Sequence, residues 1–408
     1  MASSALSAEI TFGSWGRALW VAAATAYNAS EDKNEVVTDI HQSWGGGAPR
    51  TALGVSGDSD NVGFKLDIHS NGPETLGQGD NAYIWVKPMD IVKLSVGRMD
   101  DTTLRGDCVN GLWDWDRIGA VDGDEGWTFG GYFQNRGVNV QVTPVEGLMI
   151  GAALPIVFGE GNPSGKNDAR TLATVLGKKA AYLGAYKIEG TGTVKVALKM
   201  NGGNAPEIKA EDFMKEDGTF DSEKMMKSML EGNYDKDGKA KESWQEIAAA
   251  FDLTAVENLF ASVGVVVPTL NTRPYKVNAY ARYGVNEQLT VHARVGTKIN
   301  NYDAKKTAED GDYKTGFGFL AGAGVDYALE DGIGLFADVR YANNIYKSNT
   351  SADKSDCLTI GAGVTKGFSN GKIGAAFEGC TNGKGRYKPN KEGDGFSWEI
   401  PVKFEYWF

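Results

Sequence analysis

The chain has 408 residues, 41% of them hydrophobic, with 54 Gly, 11 Pro and a net charge of −11. That charge excludes a nucleic-acid partner, whose phosphates need a basic face, and three Cys are too few for a small disulfide scaffold. No window approaches the roughly 20 consecutive apolar residues of a transmembrane helix, which leaves a membrane β-barrel open, since barrel strands show lipid only every second residue.

The chain starts MASSALSAE, with neither a basic start nor an apolar core. No complete export signal is therefore present, and the expectation is a cytosolic protein or a mature form with an added Met. From residue 9 the dominant signal is period-two alternation, the mark of strands with two unlike faces. A first strand spans 9–27 and a polar loop 28–50. Val62, Phe64, Leu66 and Ile68 then alternate with Lys65, Asp67 and His69, and Val194, Val196, Leu198 and Met200 with Lys195 and Lys199. Val277 to Tyr283 alternate with Lys276 and Arg282, Leu289 to Val295 with His292 and Arg294, and Ile333 to Tyr341 with Asp338 and Arg340. The last strand, 395–408, sets Ile400, Val402, Phe404, Tyr406 and Phe408 on one face.

Connections alternate in length. Short turns fall at 58–61, 88–90, 144–147, 189–192, near 255–257, and at 285–288, 329–332 and 369–371. Between them lie longer polar segments, among them 99–135 and 201–245. This is the up-and-down barrel pattern. Eight turns join sixteen strands, and the first and last make eighteen; one merged pair would give sixteen. Residues 206–232 read as a helical excursion in a surface loop, with Met225, Met226, Met229 and Leu230 on one face.

Strand number decides which face meets oil. Sixteen to eighteen strands enclose a cavity too wide for side chains to fill. The apolar face must look out to lipid and the charged face must line water. Gly151, Ala153, Gly318, Gly322, Gly324, Gly361 and Gly363 fall on that inner face, where they are expected to widen the channel. The fold expected is one all-β domain over 1–408, a transmembrane antiparallel up-and-down barrel.

Three segments then carry a resemblance. PRTALGVSGDSDNVGFKLDIHS (49–70), DNAYIWVKPMDIVKLSVGRMDD (80–101) and RGVNVQVTPVEGLMIGAAL (136–154) resemble, in that order, successive hairpins of Gram-negative general porins. Ile400, Val402, Phe404, Tyr406 and the terminal Phe408 are similar to that family's C-terminal assembly signal. The resemblance covers about the first 160 residues and the C-terminus; the 201–245 insertion departs from it. It implies a passive outer-membrane channel for small hydrophilic solutes and ions, in a diderm bacterium. It also implies assembly-machinery recognition, a homotrimer and a third loop folded into the pore.

On that reading 99–135 is a constriction loop bearing Asp100, Asp101, Asp107, Asp114, Asp116, Asp122, Asp124 and Glu125. It faces a basic wall of Lys65, Lys87, Lys93, Lys195, Lys199, Lys276, Arg282, Arg294 and Arg340. Opposed charges across a narrow pore orient polar solutes and set ion preference. Trp113 and Trp115 are candidate stacking surfaces for sugars, and the loop's aromatics, Phe133 included, are alternatively anchors to the wall. A sugar-selective channel and a barrel displaying its loops as an adhesin or receptor remain alternatives. Cys357 and Cys380 are candidates for a disulfide near the ends of adjacent strands, although strict register from Asn370-Gly371 misses direct pairing. Residues 233–244 resemble a calcium loop but place Trp244 where the bidentate Glu belongs. No metal site, cofactor or enzyme motif is expected.

Overall fold

A computed structural model describes residues 9–41, 49–70, 76–100, 133, 135–156, 172, 175–201, 215, 244–269, 275–300, 316–343, 356–382 and 387–408. Strands form where the sequence alternates. β1 is Glu9–Asn28, β2 Lys33–His41, β3 Arg50–Asp58, β4 Val62–Ser70, β5 Leu76–Met89 and β6 Val92–Met99. β7 is Asn135–Val145, β8 Leu148–Pro155, β9 Ala181–Ile188, β10 Gly192–Asn201, β11 Trp244–Leu253 and β12 Leu259–Pro268. β13 is Tyr275–Gly284, β14 Leu289–Asn300, β15 Gly316–Ala328, β16 Ile333–Ala342, β17 Cys357–Phe368, β18 Gly371–Cys380 and β19 Ser397–Trp407. All lie in one antiparallel sheet that closes where β1 pairs with β19.

These segments make eighteen barrel strands. β1 pairs through Glu9–Arg17 with β3 and through Leu19–Asn28 with β2. β2 and β3 therefore lie end to end alongside one long partner, as a single strand interrupted at residues 42–49. This corrects the loop expected at 28–50: a tight turn at 29–32 and all of β2 occupy most of it. The reason is chemical. KNEVVTDIH puts only Val36 and Ile40 on its outward face, with Thr38 between them, too sparse a stripe to read as a lipid-facing strand. At about 3.3 Å per residue, β1's twenty residues are about twice as long as the hydrocarbon is thick.

The eight short turns fall where the sequence puts them, and the described ends, Glu9 and Phe408, lie at that end of the barrel. The seam at closure is well bonded. Phe408 N donates to Ser14 O at 2.8 Å, and the Tyr406 and Ser14 hydroxyls lie 3.2 Å apart. Closure leaves no open sheet edge in the hydrocarbon, where each lost hydrogen bond costs several kcal/mol.

The faces are inverted relative to a water-soluble barrel. Val62, Phe64, Leu66 and Ile68 are 37% to 51% exposed, whereas Asp67 and His69 between them are 8% and 0% exposed. Val339 and Leu335 likewise point out, while Asp338 and Arg340 point in and are buried. Of the 206–232 segment expected to be helical only Lys215 is described, without helical structure; the rest lies outside the described residues.

Candidate functional site: the inner wall and the ends of the 99–135 segment

Strand register stacks the inner-face side chains into rows. One row runs Asp252, Ser262, Tyr280, Arg294, Gly322, Arg340, Thr359, Cys380 and Ser397 across successive strands. Another runs Arg282, His292, Gly324, Asp338, Gly361, Glu378 and Glu399. Charge on this wall is grouped. β13 and β14 present Lys276, Arg282, Arg294 and Lys298 inward, with Lys276 and Lys298 directly opposite one another. β16, β18 and β19 present Asp338, Glu378 and Glu399.

Several expected wall residues are drawn together in pairs. Lys87 and Lys93 both lie over the buried Trp85 ring, at 5.4 and 5.2 Å. Lys195 is ion-paired with Asp252, which also accepts from Ser262 Oγ at 2.7 Å. Arg282 lies 5.9 Å over the Phe260 ring. Arg294 and Arg340 are buried in the same row, on either side of Gly322. Lys65 and Lys199 are exposed. At the turn end, Arg282, His292, Asp326, Phe336, Thr365 and Lys372 line a recess of about 430 Å³. His292 contacts the Asp326 carboxylate and lies 2.8 Å from the Tyr280 hydroxyl.

Two of the glycines on this face, Gly324 and Gly363, sit directly beside a neighbouring side chain, whereas Gly361 has open room, 3.9 Å to Glu378. A Cβ at Gly363 would lie 2.7 Å from the Phe336 ring, and one at Gly324 2.1 Å from Asp338 Oδ1. They make room for neighbouring side chains to lie flat along the wall. Gly151 does the same for Phe133, whose ring would come within 2.2 Å of an added Cβ.

Phe133 shows how the 99–135 segment is held. It is 2% exposed and packs with Ala153, Ala181, Leu183, Ala197 and Ala248, all on the inner face of β8–β11. Its carbonyl accepts from Asn139 Nδ2 at 2.9 Å. At the other end the Asp100 N–H donates to Asn81 Oδ1 at 3.0 Å, and Asn81 Nδ2 donates to Asp67 Oδ2 at 2.6 Å. Both described ends of the segment are thus fastened to the inside of the barrel. Asp101, Asp107, Asp114, Asp116, Asp122, Asp124, Glu125, Trp113 and Trp115 lie outside the described residues.

Sequence reasoning overlooked a second cluster on this wall. Arg50 bonds Asp80 at 3.2 Å and contacts His69, Arg98 lies 3.8 Å from Asp80, and Trp15 meets His69 edge-on. Arg17, Lys403 and Glu405 form a further charged group beside the β1–β19 seam. Inward parity was the available signal for Arg50 and His69; Asp80 stands at a bulged register that parity does not track.

A closed sheet of eighteen strands with an apolar exterior and a charged interior cannot be a water-soluble barrel. This is a transmembrane β-barrel. A family model described as the OmpA-like transmembrane domain matches residues 226–372, a little over a third of the chain. No match to a curated protein was found. Among solved structures, the anion-selective porin from Comamonas acidovorans is similar at 9% identity and a TM-score of 0.48, over 98% of this chain and 100% of that one. OmpF of Salmonella typhi, in complex with daunomycin, is similar at 10% identity and TM-score 0.46, over 98% and 97%. OmpT of Vibrio cholerae, an outer-membrane protein, is similar at 12% identity and TM-score 0.44, over 100% and 99%. At those values each stands as a likeness only; the barrel's own faces carry the reading.

Proposed function

We propose that the chain is an outer-membrane porin through which small hydrophilic solutes and ions diffuse passively, narrowed by residues 99–135. The inversion of faces carries the proposal: only a membrane-spanning barrel with a wet interior tolerates exposed Val, Leu and Ile beside buried Lys, Arg, Asp and Glu. The constriction is supported by the attachment of Asp100 and Phe133 to the inner wall. The cations grouped on β13–β14, beside Asp338, Glu378 and Glu399 further along the same wall, would orient polar solutes and select among ions. The protein acts without a cofactor or a chemical step.

Purified protein reconstituted in a planar lipid bilayer is expected to give discrete ohmic conductance steps. Protein that inserts without conducting would overturn the proposal. The homotrimer belongs to the same proposal, and the mass of the detergent-extracted particle tests it.

A further inference from the structure

We propose that Cys357 and Cys380 form a disulfide that staples the loop ends of β17 and β18. Cys357 opens β17 and Cys380 closes β18, both on the inner face. The direct partner of Cys380 is Thr359, so Cys357 stands diagonally across, two residues further along. That offset is what the turn dictates: Phe368 pairs with Gly371 around Ser369 and Asn370. The sheet brings the two side chains together all the same, with sulfur atoms 2.8 Å apart. From that separation a bond of about 2.05 Å needs only a small movement of the two side chains. The surroundings are dry and fixed. Cys357 is 1% exposed, Cys380 0% and Thr359 1%. Just beyond, Leu358 N donates to Thr381 Oγ1 at 2.9 Å and Thr381 N to Leu358 O at 3.0 Å.

The compartment argument rests on the outer-membrane reading, since an exported chain crosses an oxidising space. The oxidant is a protein disulfide. One Cys thiolate attacks it to give a mixed disulfide, and the second thiolate displaces the oxidant's sulfur. Two electrons pass to the oxidant, which leaves as a dithiol, and two protons are released from the cysteines. Because both sulfurs are enclosed in the finished barrel, the bond forms before the sheet closes around them and is then shielded from reductants.

The test counts thiols. Protein exported to the outer membrane, extracted and denatured with a polyethylene-glycol maleimide is expected to take one label without prior reduction and three after it. Mapping should join the peptides holding Cys357 and Cys380, leaving Cys108 as the reactive thiol. Three labels without reduction, or a bridge that uses Cys108, would overturn the proposal. The stapling role has its own readout. Reductant present during unfolding should lower the parent's melting temperature by several degrees and leave Cys357→Ser unchanged; equal melting of the parent with and without reductant would remove that role. A bridged protein that does not conduct would remove the porin reading and leave the disulfide standing.

Discussion

Phe133 is the residue on which the constriction turns. It sits in an apolar patch on the inner wall, made by residues too small to reach one another across the channel. Phe133→Ala should remove about 3–5 kcal/mol of packing and free one end of the 99–135 segment. The expected outcome in single-channel recording is a larger conductance with noisier open levels, and an unchanged trace would mean the segment is held elsewhere. Tyr27 allows a test outside the membrane. It lies at the tip of the β1–β2 hairpin, donates to Asp32 at 2.5 Å, and has its pKa pushed up to about 12, first by that hydrogen bond and then by burial and by the Asp32 charge. A raised folded pKa means the contact's contribution is complete below about pH 10, the ordinary tyrosine value. It is lost as pH rises through 12. Spectroscopic titration should therefore find one late-ionising tyrosine that moves down in Asp32→Asn, and an unmoved titration would show that the bond does not form in solution.

Among the elements, the β1–β19 seam is the most exposed to a single substitution. Gly16 pairs with Tyr406, and a Cβ on it would lie 2.1 Å from the ring. The tyrosine lies flat over the glycine on the outer face, and Phe64 does the same over Gly57, an arrangement that pins register. Gly16→Val should push the ring aside and destabilise closure by about 1–3 kcal/mol. Gel mobility of unheated samples would show less folded barrel, partly restored when Tyr406→Ala is added, because the two sites are coupled. Most of these elements were legible in the sequence, since a strand with lipid on one side and water on the other must alternate. Val62 to His69 could be read directly. β2 could not, because Val36 and Ile40 alone are too few apolar residues to mark its period. Inward direction was legible for Lys195 and Arg340, but their partners were not: which carboxylate meets which cation depends on register across strands, and a bulge such as that between Leu66 and Ile68 shifts it.

For the molecule as a whole, the two faces predict opposite responses to the same substitution. Val263 points outward from β12 and is 49% exposed. Val263→Arg near the middle of the belt should cost about 2–4 kcal/mol in lipid, read as a lower urea midpoint for the barrel folded in vesicles. Thr365→Arg, on the inner face, should leave that midpoint nearly unchanged and alter ion selectivity instead. Equal effects at the two sites would contradict the assignment of faces. The interrupted second strand has a further meaning. His41 stands opposite Leu19 and Arg50 opposite Arg17, a place an unbroken strand would give to residue 43. β1 thus holds both halves in register by itself, whatever runs between them. The barrel carries a natural splice point, where the wall is kept in register by β1 and not by the continuity of its neighbour.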